Sequence, residues 1–399
     1  MKLNRKISFS FIFILIPEIM RNITFLIFFS IVLLIYSSVN YYLFIRGLQV
    51  FSLDQSMRSW FIVVFWTVVS LFIAGSVLER IATSAFSEWI YRIGAFWLAF
   101  MLYLVLAAVL IDFVRIVDYF FRFLPPFTPI IRFRLGMIVI SMVSIVVIFG
   151  YINALWINVK EIPLTIHKKV SGSAEVKILM ASDIHLGALV GERREKNLLK
   201  IIRTQKPDLV LLCGDLVDGE IAPVLRKNLG RHIQEIRIPL GVYAITGNHE
   251  YIGGIEKTLP YLKSINIKVL LDESVTLENG IQLIGRNDHS SGRGQLAPKP
   301  LAELILKIDP DKPVIVMNHQ PFNLNEAAEA RVDLHLSGHT HNGQLWPFNY
   351  LTEAIFELSW GLMKKENTNF YVSSGFGTWG PPVRTGNRPE VVVFKLKFE

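Results

Sequence analysis

The sequence predicts two unlike halves: an α-helical membrane domain over residues 23–157 and an α/β domain over residues 176–399. Two observations carry this expectation. Four uncharged apolar runs crowd the first 160 positions, each near the ~20 residues that a helix needs to cross a bilayer at ~1.5 Å per residue. Beyond residue 176, short β-rich runs alternate with polar helical stretches, the pattern of buried strands joined by crossovers. Composition agrees. Hydrophobic residues make up 52% of the chain and charged ones only 19%, and the apolar excess sits in the first half.

The four runs are 23–45, 60–78, 93–111 and 135–157. Trp60, Trp89, Tyr91 and Trp156 stand near their ends, where amphipathic rings favour the headgroup layer. None of the runs carries a charge, so no proton relay or ion path is expected in them. Asn40 and Asn153 are the main polar exceptions and are expected to hydrogen-bond between helices. An earlier apolar piece, 7–16, is too short to span and is stopped by Pro17 and Glu18. Two readings of segment 1–22 stay open: an interfacial or signal-like element, or an extension upstream of a true start at Met20. The second is preferred.

Four crossings place both chain ends on one face. Lys2, Arg5, Lys6, Arg21, Arg80, Arg92, Lys160, Lys168 and Lys169 share that face, against Arg46, Arg58, Arg115, Arg122, Arg132 and Arg134 on the other. The balance favours a cytoplasmic C-terminal half, although a start at Met20 would level it. The net charge of +8 thus fits anchoring at a membrane surface better than nucleic-acid binding. A single cysteine, Cys213, excludes an internal disulfide and reads as a small buried residue. Residues 158–175 read as a linker.

In the second half, core strands are expected at 176–181, 208–213, 241–246, 313–317 and 332–336, with helices at 193–205 and 221–236. Functional groups collect past the carboxyl ends of strands in such sheets. The unusual residues fall there. Asp183-Ile184-His185 follows the first strand, Gly214-Asp215 through Asp218 the second, and Gly247-Asn248-His249-Glu250 the third. Asn318-His319 follows the fourth and Gly338-His339-Thr340-His341 the fifth. Five of the nine histidines lie in this ladder.

Neutral imidazole suits divalent transition metals, while carboxylate and amide oxygens take harder ions. A His/Asp/Asn set without a usable thiolate fits Mn, Fe or Zn rather than a cysteine-rich structural zinc site. The donors outnumber the needs of one tetrahedral ion, and a pair sharing a carboxylate would use them all.

This ordered set resembles the calcineurin-like metallophosphoesterase superfamily from about Val176 to the C-terminus. The stretch from Ser374 through Gly375, Gly377, Trp379 and Gly380 to Arg384 resembles its bacterial membrane-associated branch. The resemblance implies a four-layer αββα sandwich and, with the four helices, an integral protein of a bacterial inner membrane. It implies one metal held by Asp183, His185, Asp215 and His341, and a second by Asp215, Asn248, His319 and His339, with Asp215 bridging. It also implies that His249 contacts the phosphoryl oxygens or protonates the leaving group. Asp218 and Glu250 are expected to orient ligands, and His335 to be structural. Arg384 and Arg286 are expected to grip anionic groups of the substrate, because a guanidinium fork matches phosphate.

The expected function is hydrolysis of a phosphodiester, phosphomonoester or pyrophosphate, and the anchor points to a lipid-linked or envelope-precursor substrate. A nucleotide-linked lipid such as UDP-diacylglucosamine falls within what the resemblance admits. A membrane scaffold that keeps the fold without the chemistry is the alternative, and the intact ligand set argues against it. The sequence names no protein partner.

Overall fold

The computed structural model describes residues 5–293 and 298–399. Residues 1–4, with Lys2 of the basic count, lie outside them, as do the side chains of 5–25. Four helices open the chain: α1 (Arg5–Val50), α2 (Gln55–Ile81), α3 (Ala85–Phe121) and α4 (Pro129–Leu155). All four are long and apolar enough to cross a membrane, α1 through its Phe29–Val50 portion. Their large apolar side chains are turned outward, Leu34, Val63, Leu110 and Ile145 among them, a surface that only a nonpolar solvent would cover. The piece expected at 7–16 is not a separate element. Its apolar run continues beyond Pro17 inside α1, since one proline removes a single backbone bond and need not end a helix.

The chain divides into two compact units: residues 1–69 with 100–143, and residues 70–99 with 144–399. In the first, buried Asn40 donates to the Tyr36 carbonyl (2.8 Å) and lies 3.3 Å from Met101 Sδ, while Tyr36 donates to the Val69 carbonyl at 2.8 Å. In the second, α2 and α3 meet backbone to backbone. A Cβ added at Gly94 would come within 2.3 Å of Phe72 Cα, and one at Gly75 within 2.5 Å of Tyr91 Cα. Tyr91 therefore packs on Phe72, whereas Trp60, Trp89 and Trp156 are exposed.

The stretch expected as a linker is corrected by β1 (Asn158–Ile166), which begins three residues after α4 ends. Its alternation buries Ile162 and Ile166, and it pairs in parallel with β12 (Glu390–Phe398) along its whole length. Next come β2 (Glu175–Ala181), α5 (Glu192–Gln205), β3 (Leu209–Cys213), α6 (Ala222–Arg226), β4 (Val242–Ile245), α7 (Asn248–Gly253), α8 (Ile255–Ser264) and β5 (Lys268–Val269). The first sheet runs β1-β12-β2-β3-β4-β5, with β2 to β5 parallel and β12 antiparallel to β2. The helix expected at 221–236 shrinks to α6 and a 3-10 turn at Ile233–Glu235. Asn228 and Gly230 hold positive φ between them (48° and 88°), which a right-handed helix cannot accommodate.

The second sheet takes β6 (Glu273–Thr276), β7 (Gln282–Gly285), α9 (Leu301–Ile305), β8 (Val314–Met317), α10 (Leu324–Glu329), β9 (Leu334–Ser337), α11 (Phe348–Ile355), β10 (Gly361–Lys365) and β11 (Thr368–Val372). Its strand order is β10-β11-β9-β8-β7-β6. Strand alternation builds three apolar layers. Ile178, Met180, Leu211 and Ile245 of the first sheet meet Leu283, Ile315, Met317 and Leu336 of the second. Leu179, Leu212 and Ala244 point outward to Leu198, Ile202 and Leu262 of α5 and α8, while Ile284, Val316 and Phe370 face Leu301, Leu304 and Leu324 of α9 and α10. The result is an αββα sandwich.

The end of α4 is built into this sandwich. The Arg384 amide donates to the Gly150 carbonyl at 2.9 Å, and a Cβ at Gly150 would strike Val383 and Thr385. Asn153 does not join helix to helix as expected. Its amide donates to the carbonyls of Arg384 (2.9 Å) and Asn387 (2.8 Å), and its oxygen accepts from Arg388 Nε at 3.1 Å. Buried Arg194 of α5 donates to the Ala154 carbonyl at 2.6 Å, placing a cation at the negative end of the helix. Glu88 at the start of α3 pairs with Arg226 and Lys227.

Asn153→Ala would leave two loop carbonyls without their donor, a loss of about 1–3 kcal/mol for each buried group left unsatisfied. Chemical unfolding should show that loss, and amide exchange should quicken across 384–388. Unchanged exchange there would mean that other contacts hold the loop.

Candidate metal centre

The strands deliver their polar residues to one place. Asp183 and His185 leave the end of β2, Asp215 and Asp218 that of β3, and Asn248 and His249 open α7 after β4. His319 follows β8, and His339 and His341 follow β9. Sharp turns at these ends require unusual backbone. Asp183, His185, Asp215, His339 and His341 all have positive φ, between 48° and 72°, a region open mainly to Gly, Asn, Asp and His. Three neighbouring glycines make room. A Cβ at Gly214 would lie 2.5 Å from His319 Nδ1, one at Gly247 2.1 Å from Asp215 Oδ1, and one at Gly338 2.3 Å from Asp183 Oδ2.

The seven expected ligands converge. Asp183, His185 and His341 bring one donor atom each within 4.8 Å of one another, and so do Asp215, His319 and His339. Asn248 Oδ1 lies 3.0 Å from His339 Nδ1. His249 is close as well, forming a third such group with His185 and Asp215. Asp183, His185, Asp215 and His319 are all but sealed from solvent.

Hydrogen bonds fix the ring states. His319 Nδ1 donates to the Cys213 carbonyl at 2.8 Å, so Nε2 is the nitrogen that faces Asp215 Oδ2, 3.1 Å away. A contact of that length in a sealed site needs a proton or a cation between the two atoms. Burial alone would lower the basicity of His319, but Asp215 and then Asp183 hold it well above the usual imidazole range. His185 Nε2 and His341 Nε2 face each other at 3.1 Å, with Asp183 Oδ1 3.5 Å from the latter.

Asp218 lies between two rings, 3.4 Å from His185 Nδ1 and 3.1 Å from His249 Nδ1. Burial works against its charge, yet the polar contacts and charges of the two rings, His185 and His249, hold its carboxyl well below the ordinary range. Against the effect of burial, the Asp218 hydrogen bond and the charge of Asp215 raise His249 to about 9. Glu250 accepts the amides of Asp215 (3.1 Å), Val217 (3.0 Å) and Gly247 (2.7 Å), tying two loops together. Burial, then Asp215, pushes its carboxyl up to about 7.

The two arginines are not where the sequence suggested. Arg286 pairs with Glu326 at 2.8 Å and donates to the Lys299 carbonyl at 3.1 Å, so its guanidinium is engaged away from the ligands. Arg384 is fully buried. It donates to the Gly377 carbonyl (2.7 Å), to Asn387 and to His341 Nδ1 (3.0 Å). It thus braces a ring of the ladder and cannot reach a ligand from outside. His335 is buried against Phe370, and burial lowers it to about 3.

Sequence reasoning missed two residues that shape the site. Gln344 Nε2 donates to the carbonyls of Trp379 and Pro381 (both 2.9 Å), fastening the glycine-rich loop. Asn387 Nδ2 donates to the His341 carbonyl at 2.7 Å. Neither belongs to a spaced motif, so only the folded chain reveals them. The ring centroids of Trp379 and Phe356 lie 6.0 Å from those of His249 and His339, respectively, with the ring planes nearly perpendicular.

Comparison with known proteins agrees with this geometry. The calcineurin-like phosphoesterase family model matches residues 176–343. An uncharacterized metallophosphoesterase of Aquifex aeolicus is 33% identical over 252 residues, 62% of this chain and 95% of that protein. An uncharacterized metallophosphoesterase of Campylobacter jejuni is 32% identical over 380 residues, 94% of this chain and 99% of its own length. A Bos taurus transmembrane protein with metallophosphoesterase domain is 32% identical over 286 residues, covering 67% of this chain and 63% of that protein. With its cluster of His and Asp residues, its αββα sandwich and two bacterial relatives matched along nearly their whole length, the chain belongs to the calcineurin-like phosphoesterase family.

Proposed function

We propose that the protein is a membrane-anchored phosphoesterase that uses two divalent cations to hydrolyse a lipid-linked phosphodiester, phosphomonoester or pyrophosphate. The observation that carries this reading is the convergence of the donors in a sealed site, where His319 Nε2 and Asp215 Oδ2 lie 3.1 Å apart and need a proton or a cation between them. Asp183, His185, Asp215 and His341 would hold one cation, and Asp215, Asn248, His319 and His339 the other. The donor set suits Mn, Fe or Zn. Bound there, the cations would polarise the phosphoryl group and acidify a water.

The chain's own groups do the rest. The Cys213 carbonyl keeps the His319 proton on Nδ1, leaving Nε2 free as a ligand. Arg384 can only donate, so it holds the His341 ring through Nδ1 and leaves Nε2 turned toward His185. Asp218 orients His249 and favours its protonated ring. As the water oxygen bonds to phosphorus and the ester P–O bond breaks, His249 gives its proton to the departing oxygen. The four apolar helices favour substrates that reside in a bilayer over nucleic acid, and the distribution of basic residues favours the cytoplasmic face.

Elemental analysis of the purified full chain should find close to two transition-metal ions per molecule. Asp215→Ala, which removes the shared carboxylate, should lose both ions and all activity. One ion in the unaltered protein, or two retained in the variant, would overturn the bridged pair.

His249→Ala should keep both ions and lose roughly 10²–10⁴-fold in kcat on an alkyl phosphodiester. The loss should shrink on a nitrophenyl ester, whose leaving group hardly needs a proton. Loss of a metal from this variant would make His249 a ligand, in line with its closeness to His185 and Asp215.

A further inference from the structure

The helix α11 is built inside out. At ~100° per residue, Phe348, Tyr350, Leu351, Ala354 and Ile355 share an arc of roughly 160°. All five are exposed, with Tyr350 at 63%, Leu351 at 57% and Ile355 at 56%. The polar residues Asn349 and Thr352, on the other side, are the half-buried ones. None of the eight residues is fully buried, and Glu353 is the single charge. A surface helix of a water-soluble domain does the reverse. Three exposed tryptophans, Trp346, Trp360 and Trp379, stand nearby in the same half of the sandwich.

The helix also sits next to a crossing helix. The Trp346 amide, two residues before α11, donates to Thr385 Oγ1 at 3.0 Å. Thr385 in turn packs on Gly150 of α4, where an added Cβ would come within 2.7 Å of its methyl group. Gly150 lies five residues before the end of α4, about 7.5 Å along the axis. The loop leading into α11 therefore meets α4 at the depth of a headgroup layer, which is roughly 5–8 Å thick on each side of the hydrocarbon. Interfacial helices lie at that depth with apolar faces inward, and tryptophan is enriched there. The other end of α11 reaches the ligands. Phe356, which caps it, has its ring 6.0 Å from His339, and Thr340 donates to the Ser359 carbonyl at 2.6 Å.

We propose that α11 lies in the headgroup layer of the bilayer crossed by α4 and guides lipid-borne phosphoesters to the metal centre, their acyl chains remaining in the membrane. This rests on the phosphoesterase reading and narrows its substrate to molecules with long acyl chains.

Two measurements on the full chain in phosphatidylcholine–phosphatidylglycerol vesicles test it. The first places an environment-sensitive dye on Ile355→Cys, the native Cys213 being buried. Shallow nitroxide lipids should quench the dye, and aqueous iodide should not. Quenching by iodide alone, or protection from both quenchers that depends on protein concentration, would overturn the proposal, the latter in favour of a second copy on this face. The second measurement compares hydrolysis of a long-chain phospholipid substrate with that of soluble bis(4-nitrophenyl) phosphate. In Leu351→Glu/Ile355→Glu the ratio of lipid to soluble activity should fall at least tenfold, and an unchanged ratio would overturn the guiding role. Absence of both activities from the unaltered protein would refute the phosphoesterase reading instead, and the dye result would still report where α11 lies.

Discussion

Two carboxylates, Asp183 and Asp215, sealed from water among five imidazoles, form the constraint on which the rest of the α/β unit depends. Burying an uncompensated carboxylate costs several kcal/mol. Proton donors offset part of it: the His339 amide donates to Asp183 at 3.0 Å and the His249 amide to Asp215 at 2.9 Å. The remainder is shared with rings whose own protons are fixed elsewhere. The two-sheet architecture follows from the same need, because ligands from β2, β3 and β4 must face those from β8 and β9 across a narrow gap. The three glycines that would clash with ligand atoms if given a Cβ are the steric counterpart of that electrostatic demand.

Within that unit the anchor is more than a tether. A short path runs from Gly150 and Asn153 on α4 to the backbone of Arg384, and from its guanidinium to His341. Arg194 closes the helix end from the other side. Packed groups of this kind have few alternative arrangements, so the geometry of one ligand is tied to the last turns of a crossing helix.

Much of this could be read from the chain. The convergence of these polar residues was legible because each follows a strand of strong β pattern, and strand ends in such sheets are where function gathers. The four helices were legible from length and apolarity alone. What could not be read were choices that depend on tertiary partners. Arg286 and Arg384 have the right chemistry for phosphate, but Glu326 claims the first and three acceptors around the ligand loops claim the second. Asn153 looked like a bond between helices because nothing local indicates that a loop more than 230 residues later would dock on it. Residues 158–166 looked like a linker because an edge strand with a half-polar face has a weak pattern of its own. Pairing with β12 is what makes it a strand.

The left-handed turns at Asp183, His185, Asp215, His339 and His341 have a consequence for descent. Each holds a side chain where glycine would rest more easily, at a cost of about 1–2 kcal/mol per residue. Glycine there would relieve backbone strain and, at the aspartates, remove a buried charge as well. Stability and chemistry therefore pull in opposite directions at these five positions, while at most core positions only stability is at stake. A duplicated copy freed from its reaction would be expected to drift toward glycine at these turns first, its sheets still intact. Such a copy would betray its lost chemistry by its turns long before its fold changed.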